Sequence, residues 1–264
     1  MRARWFGLLL IMTSVSCQSL PQLEVSQSRV EAGKLWASGQ TAMRAGQVRD
    51  AIGLYKQALQ LDPGFTHSHL SLAAAYLEVG EEDRACQHLG HYLDANPDHA
   101  AVRSHYAELL YRLEKPKAAR NEFERFDAEA QKRGESARAD LIHCHSRLTK
   151  IAMSGADEYR EHLHRGIGLY YLALERELLP DPEGELPTEG LLFQAAGELS
   201  IARAMRPHEA RPSVYLYRVW TRLSRRQPAL RALKHAGAEA DFSFLTPVER
   251  RDLKLAELKE EPLR

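Results

Sequence analysis

The sequence predicts an all-α protein, an α-solenoid of stacked helix-turn-helix hairpins. The chain has 264 residues, of which 44% are hydrophobic and 27% charged, enough to bury a substantial core. Prolines and glycines recur every 34 residues, as in Pro63 and Pro97 or Gly46 and Gly80. Helical periodicity of apolar residues continues through the second half. The 36 basic residues equal the 36 acidic ones, so no net field favours nucleic acid as a partner.

The N-terminus, residues 1–16, has the layout of a signal peptide. Arg2 and Arg4 precede an apolar run over residues 5–12, and small residues follow at 13–16. The apolar run is much shorter than the roughly 20 residues of a membrane-spanning helix. The sequence therefore predicts export from the cytoplasm.

Residues 14–17, Ser-Val-Ser-Cys, resemble a bacterial lipobox, in which the cysteine is lipidated. The resemblance implies a lipid anchor at Cys17 facing the periplasm. Gln18 then implies the outer membrane if the organism is Gram-negative. Ser14 stands where lipoboxes usually carry Leu, and the same small residues suit ordinary cleavage before the cysteine, which would give a soluble periplasmic or secreted protein. The polar residues 17–28 are predicted to form a flexible tether.

Residues 29–134 are predicted to form three repeats of two helices each. Small residues in two columns allow close approach of the paired helices, and a large apolar residue in a third column fills the gap to the next repeat. Proline ends each second helix, and glycine permits the tight turn between helices. The three columns are Gly39, Ala73 and Ala107; Ala51, Ala85 and Ala119; and Tyr55, Leu89 and Phe123.

This pattern resembles the tetratricopeptide repeat (TPR). The resemblance implies a superhelix whose first helices form a concave binding face. The third repeat departs from the pattern, with Glu114 in place of the glycine and Gln131 in place of the proline. Its second helix is therefore expected to extend to Gly134.

The remaining chain is predicted to be helical with one interruption. Residues 135–179 read as a helical hairpin, 180–189 as an acidic Pro-rich surface loop, and 190–240 as TPR-like helices. Residues 241–264 contain a final helix that caps the solenoid. It starts with a capping box at 246–249, Thr-Pro-Val-Glu.

The candidate partner-binding groove follows from the spacing of the first helices. Its mixture of aromatic, aliphatic and charged groups suits a peptide or helix of another protein. The alternative is that some of these side chains only contact the next helix. The candidates are Trp36, Gln40, Arg44, His67, Leu70, Ala74, Glu78, Ser104, Glu108, Tyr111 and Arg112.

A basic stripe is the second candidate surface. Arg218, Arg222 and Arg225 are spaced to share one helix face, within a stretch, 203–234, that has nine basic residues and one acid. The stripe could bind an acidic partner or anionic lipid headgroups. The alternative is neutralisation by the acidic residues of 180–198.

Four histidines, His143, His145, His162 and His164, fall on two helices expected to be neighbours. Residues two apart point to different faces, so at most one of each pair can converge, and no metal site is predicted.

The sequence carries none of the common catalytic motifs. It contains no Gly-rich phosphate loop, nucleophile elbow, His-Glu-x-x-His helix or haem-attachment motif. Cys86 and Cys144 are expected to be buried core residues, with a disulfide as the alternative after export. We therefore expect a non-enzymatic scaffold or adaptor at the cell envelope, with no cofactor and no small-molecule substrate. The alternatives are a soluble secreted protein binding through its basic stripe and a metal-dependent enzyme using the histidines.

Overall fold

The computed structural model describes residues 21–177, 188–237 and 241–260, and these residues are helical almost throughout. The all-α prediction is confirmed, with a single isolated bridge between Glu209 and Asp241 as the only extended pairing in the described part. Within the same residues, none of the helices combines the length and the apolar character needed to cross a membrane. The helices are α1 (Pro21–Arg44), α2 (Val48–Leu61), α3 (Thr66–Glu78), α4 (Glu82–Ala95), α5 (Ala100–Arg112), α6 (Pro116–Lys132), α7 (Arg138–Ser154), α8 (Glu158–Arg176), α9 (Thr188–Met205), α10 (Ala210–Arg222), α11 (Arg226–Gly237) and α12 (Pro247–Glu260).

The beginning of α1 corrects the predicted tether. Residues 1–16 and Cys17 lie outside the described residues, but α1 already starts at Pro21, so residues 21–28 are helical. Proline suits the first helical position, because its fixed φ matches the helix and its missing N–H would have had no partner there. Extending a helix costs little once its packed part has formed, so polar residues can continue it into solvent.

Two other boundaries differ slightly from the prediction. Residues 180–187 of the predicted acidic loop 180–189 lie outside the described residues, but Thr188 and Glu189 belong to α9. The second helix of the third repeat ends at Lys132, and a 3-10 turn at Gly134–Ala137 leads into α7. Gly134 has a φ of 63°, a left-handed conformation that ends the helix without the usual proline.

Five turns between helices share one backbone conformation. Gly46, Gly80, Glu114, Ala156 and Ser224 all have φ between 51° and 78°. At Gly46, Glu114, Ala156 and Ser224, the next residue's N–H donates to the carbonyl five residues earlier at 2.8–3.0 Å, the bond of a Schellman motif. The turn of the repeat is therefore kept where the sequence has lost its glycine.

The chain divides into two compact units, Met1–Gly80 and Glu81–Arg264. In the first unit, α2 packs between α1 and α3. Gly39 of α1 lies directly against the ring of Tyr55, which is completely buried, since a Cβ at position 39 would overlap with that ring. The 34-residue columns predicted this close approach of the paired helices for the small residue at position 39, whereas the large residue at 55 was expected to fill the gap to the next repeat.

The second unit continues as packed helices from α4 to α12. Helix α8 packs against both α7 and α9, and Gly166 lets Leu199 of α9 approach closely, as Gly39 does for Tyr55. The predicted capping box of α12 is present, because Thr246 N–H donates to Glu249 Oε2 at 2.9 Å and Glu249 N–H to Thr246 Oγ1 at 3.2 Å. The apolar face of α12 joins a buried cluster with α10 and α11.

Candidate functional site

The first candidate surface lies on α1 and α3 and we call it the α1–α3 surface; it comprises Trp36, Gln40, Phe65, His67 and Ser71. Trp36 Nε1 donates to Ser71 Oγ at 2.8 Å, and Gln40 Nε2 donates to the same oxygen at 3.0 Å. Phe65 and His67 meet the Trp36 ring edge-on, with centroids 6.2 and 6.1 Å away. The structure thus brings together three of the predicted groove residues: Trp36 and Gln40 bind one hydroxyl, and His67 contacts the Trp36 ring.

The remaining predicted residues of the first unit lie around this cluster. Leu70 is partly buried, and Ala74, Glu78 and Arg44 are exposed. Arg44 Nε donates to the Gln40 carbonyl at 3.3 Å, so this guanidinium contacts its own helix.

The second candidate surface lies on α5 and α7 and comprises Glu108, Tyr111, His143 and Arg147. Arg147 binds Glu108 through two hydrogen bonds of 2.6 and 2.9 Å, and its guanidinium lies 5.1 Å from the centre of the Tyr111 ring. His143 Nε2 is 3.5 Å from the same carboxylate. The nearby Arg112, also predicted for the groove, pairs instead with Glu82 of α4, and Ser104 is partly buried.

The basic stripe is largely engaged within the protein. Arg218 is mostly buried, pairs with Asp252 at 2.8 Å and lies over the Tyr215 ring at 4.8 Å. Arg222 is exposed and pairs with Glu177, while Arg225 is exposed. These two acids, Glu177 and Asp252, lie outside the stretch 180–198 that the sequence suggested as the neutralising partner.

The four histidines separate into one buried pair and two surface residues. His145 and His164 are buried, with their Nδ1 atoms 3.2 Å apart. His162 Nδ1 lies 2.6 Å from Glu198 Oε2, and His143 belongs to the second candidate surface, on α5 and α7. Among the described residues, no group of three His, Cys, Asp or Glu side chains is arranged to hold a metal ion.

Both cysteines in the described part are free and buried. Cys144 Sγ donates to the Phe123 carbonyl at 3.3 Å, and burial raises the pKa of this thiol well above its ordinary value. A disulfide between Cys86 and Cys144 is therefore not realised in this structure.

A buried polar network joins four helices of the second unit, and the sequence did not reveal it. It comprises Asp127 and Gln131 of α6, His145 of α7, Arg211 of α10 and Glu249 of α12. Arg211 pairs with Asp127 and lies 3.0 Å from Glu249, and Gln131 Nε2 donates to both carboxylates at 2.9 and 3.1 Å. His145 Nε2 is 3.3 Å from Asp127 but is not aligned for a hydrogen bond.

Electrostatics within this network follow from burial and pairing. Burial alone would raise the pKa of Asp127, but Arg211, His145 and Gln131 together hold it well below its ordinary value. Burial would lower the pKa of Arg211, but Glu249 and Asp127 outweigh that effect and raise it. His164 lies beside the network, and burial lowers the pKa of its imidazole well below the ordinary value. Asp127 and Arg211 are therefore charged together in the core.

A cleft of about 310 Å³ opens beside the network, between α6, α8 and the segment that precedes α12. The residues that line the cleft are Glu124, Ala128, Tyr159, Arg160, Leu163, His164, Glu209, Arg211, Ser243, Phe244, Leu245, Thr246 and Pro247. The sequence contained two signals near this cleft, the capping box and the arginines of 203–234, but neither shows which chain segments meet there.

Comparison with solved structures finds helical proteins of similar length. The chain is similar to a crystal structure of MamA protein (14% identity, 89% of this chain and 97% of that one, TM-score 0.41). It is also similar to YrrB, described as a TPR protein with an unusual peptide-binding site (15%, 90% and 97%, 0.36), and to pilF of Pseudomonas aeruginosa (14%, 88% and 99%, 0.37). Scores below 0.5 do not establish a common topology.

The family comparison is more direct. No curated protein sequence matches the chain. Residues 42–90 match the tetratricopeptide repeat model, and this segment contains Gly46, Ala51, Tyr55, Pro63 and Ala73 of the predicted columns. Residues 42–90 are therefore similar to the tetratricopeptide repeat.

Proposed function

We propose that this protein is a non-enzymatic interaction scaffold of the bacterial cell envelope, and that its α1–α3 surface binds a segment of a partner protein. The observation that supports this most is the position of Trp36. Its ring is only partly buried, its edge is fixed by the bond to Ser71, and Phe65 and His67 flank it. Tryptophan in a fixed, half-exposed position is the kind of residue that dominates binding energy at protein interfaces.

The hydrogen-bond pattern also favours a binding role. Ser71 Oγ accepts from both Trp36 and Gln40, so these two side chains are already held in place before a partner binds. An exposed His67 and a partly exposed Leu70 extend the surface along α3. A peptide or amphipathic helix would therefore find an aromatic anchor site with polar groups beside it.

Site-specific photo-crosslinking in the native bacterium tests this proposal. A photo-reactive amino acid replaces His67 or Leu70 on the surface, and Gln57, exposed on α2, serves as the matched control position. We expect discrete cross-linked products from 67 and 70 and none from 57. The additional change Trp36→Ala should abolish these products while the protein level stays constant. Equal crosslinking from all three positions would contradict the proposal.

Attachment to the envelope is the second part of the proposal. Its support is the lipobox-like sequence at residues 14–17, which suits either lipidation of Cys17 or simple cleavage before it. Labelling with a palmitate analogue, followed by fractionation, separates these two outcomes. Labelled, membrane-bound wild type with an unlabelled Cys17→Ala variant is the expected result. An unlabelled and soluble wild type would instead indicate a periplasmic or secreted scaffold.

The geometry gives less support to binding through the basic stripe and to a metal-dependent enzyme. A binding function of the basic stripe would require Arg218 and Arg222 to leave Asp252 and Glu177. A metal enzyme would require convergence of the four histidines, whereas His143 and His162 contact separate carboxylates.

A further inference from the structure

We infer that the second unit contains another binding site, a cleft that accepts one uncharged aromatic side chain of a partner protein. This site goes beyond the proposed α1–α3 surface, because its walls are formed by α6, α8, residues 209–211 and residues 243–247. At about 310 Å³ it stands at the small end of protein ligand sites, which suits a single ring and its backbone.

Six of the thirteen lining residues are aromatic or aliphatic. Leu163 and Leu245 are buried and form part of the lining together with Ala128 and Phe244. Tyr159, also buried, contributes its ring, and Arg206 lies 4.1 Å from the centre of that ring. Aromatic pairs prefer edge-to-face or offset contacts, so the Tyr159 and Phe244 rings would pack favourably against an inserted ring.

The charged residues of the lining already have partners within the protein. Arg160 pairs with Asp157 at 2.5 Å. Glu209 pairs with Arg206 at 3.0 Å and accepts a hydrogen bond from Tyr159. Arg211 belongs to the buried network. The fourth charged residue, Glu124, lies 3.8 Å from Arg160 and 3.9 Å from Arg120. An ionic ligand would have to break one of these pairs and lose its hydration, so the cleft favours a neutral group.

Phe244 lines the cleft, and a second exposed phenylalanine, Phe242, lies two residues before it. Phe244 is 54% exposed and Phe242 is 40% exposed, both on the segment that precedes α12. A single exposed phenylalanine needs no explanation, but two on one short segment beside a cleft form an apolar rim. Partner residues next to the inserted ring would pack against this rim.

Hydrogen bonds to backbone groups hold the segment 241–245 in place. Asp241 N–H donates to the His208 carbonyl at 2.7 Å, and Ser243 N–H donates to Asp241 Oδ1 at 2.8 Å. Arg250 donates to the carbonyls of Ser243 and Leu245 at 3.3 and 3.2 Å. A prearranged wall loses little conformational entropy when a ligand binds.

Ligand-detected NMR on the purified full-length chain tests this inference, with N-acetyl-tryptophanamide and N-acetyl-phenylalaninamide as probes. The corresponding amides of leucine, lysine and glutamate serve as comparisons for shape and charge. We expect the aromatic amides to bind with a Kd of about 1 mM, which is typical of a ligand with so few atoms. The charged amides should bind at least about tenfold more weakly. Equal binding of all five amides, or no binding of the aromatic ones, would overturn the inference.

Matched variants connect the binding to the cleft. Ala128→Phe places a ring inside the cleft and should abolish binding, whereas Ala118→Phe, exposed on the same helix, should leave it unchanged. Phe244→Ala removes an exposed ring without opening the core and should weaken binding several-fold. Trp36→Ala should not change the binding of the amides to the cleft. The cleft and the α1–α3 surface are therefore tested separately. Wild-type binding by Ala128→Phe, with its fold verified by circular dichroism, would refute the site.

Discussion

Arg211 and Glu249, both buried, bind each other across two helices that are far apart in sequence. Arg211 Nε and Nη2 lie 3.1 and 3.0 Å from Glu249 Oε1. The other carboxylate oxygen, Oε2, accepts the Thr246 N–H at the start of α12. One side chain therefore both starts α12 and holds it against α10, so the stability of the cleft wall depends on this pair.

Removing that carboxylate should be costly. Glu249→Ala leaves Arg211 with one buried partner instead of two and removes the capping bond to Thr246. Breaking a buried pair typically costs 3–5 kcal/mol, and we expect about 3 kcal/mol because Asp127 still compensates part of the charge. Urea denaturation followed by circular dichroism measures the loss in the free energy of unfolding.

An exposed ion pair provides the control for Glu249→Ala. Asp83 and Lys115 are 3.2 Å apart and both largely exposed. Asp83→Ala should change the free energy of unfolding by less than about 0.5 kcal/mol, because water screens such pairs. If the two variants lost the same stability, the buried network would not be the support that its geometry indicates.

Acid should destabilise the second unit through His164. Its pKa is lowered by burial, so in mildly acidic solution the unfolded chain binds a proton at this imidazole and the folded chain does not. The contribution is complete above the unfolded pKa of about 6.5 and is lost as pH falls below it, at about 1.4 kcal/mol per pH unit. Urea denaturation at a series of pH values from 7 to 5 measures how the free energy of unfolding changes with pH. The slope of the wild type should exceed that of His164→Gln by about 1.4 kcal/mol per pH unit.

A variant that loses stability without losing an ionisable group is the control for this slope. Leu163 neighbours His164 and is buried, so Leu163→Ala should lower the free energy of unfolding by about 2–4 kcal/mol at every pH. Its slope below pH 6.5 should equal that of the wild type. An unchanged slope in His164→Gln would show that this imidazole is protonated equally in both states.

Local patterns in the sequence were sufficient to predict the repeats and their turns. The helix pairing depends on columns such as Gly39 and Tyr55, and the turn position remained recognisable at Glu114 because the flanking residues kept the 34-residue spacing. The capping box at 246–249 was predicted because its bonds join residues three apart.

Contacts between distant parts of the chain could not be predicted in this way. The buried network joins Asp127 to Arg211, 84 residues later, and Gln131 to Glu249, 118 residues later. No local period encodes such a pairing, and a charged residue on a helix is ordinarily solvated. The cleft was missed for the same reason, since its walls come from four separate segments.

Glycine should stabilise the turns in which another residue now has a positive φ. Glu114, Ala156 and Ser224 are exposed and have φ of 51–55°, a conformation that costs about 1–2 kcal/mol for a residue with a Cβ. Glycine avoids this conformational cost but loses more backbone entropy on folding. We therefore expect each replacement to raise the free energy of unfolding by about 0.5–1 kcal/mol. Urea denaturation checks the gain. The reverse change, Gly46→Ala, has open space for its Cβ and should lose about 1 kcal/mol from conformation alone.

Close approach of α1 and α2 should make Gly39 intolerant of even one methyl group. A Cβ at position 39 would overlap with Cε1 of Tyr55 and lie 2.7 Å from its Cδ1, and Tyr55 is completely buried and cannot move aside. We therefore expect Gly39→Ala to cost about 2–3 kcal/mol despite the better helix propensity of alanine. Gly33→Ala on the same helix meets nothing within 4 Å and should instead gain up to about 1 kcal/mol. Thermal melting of the two variants in parallel tests this contrast, and a stabilised Gly39→Ala would show that the repeat's small column does not require close packing here.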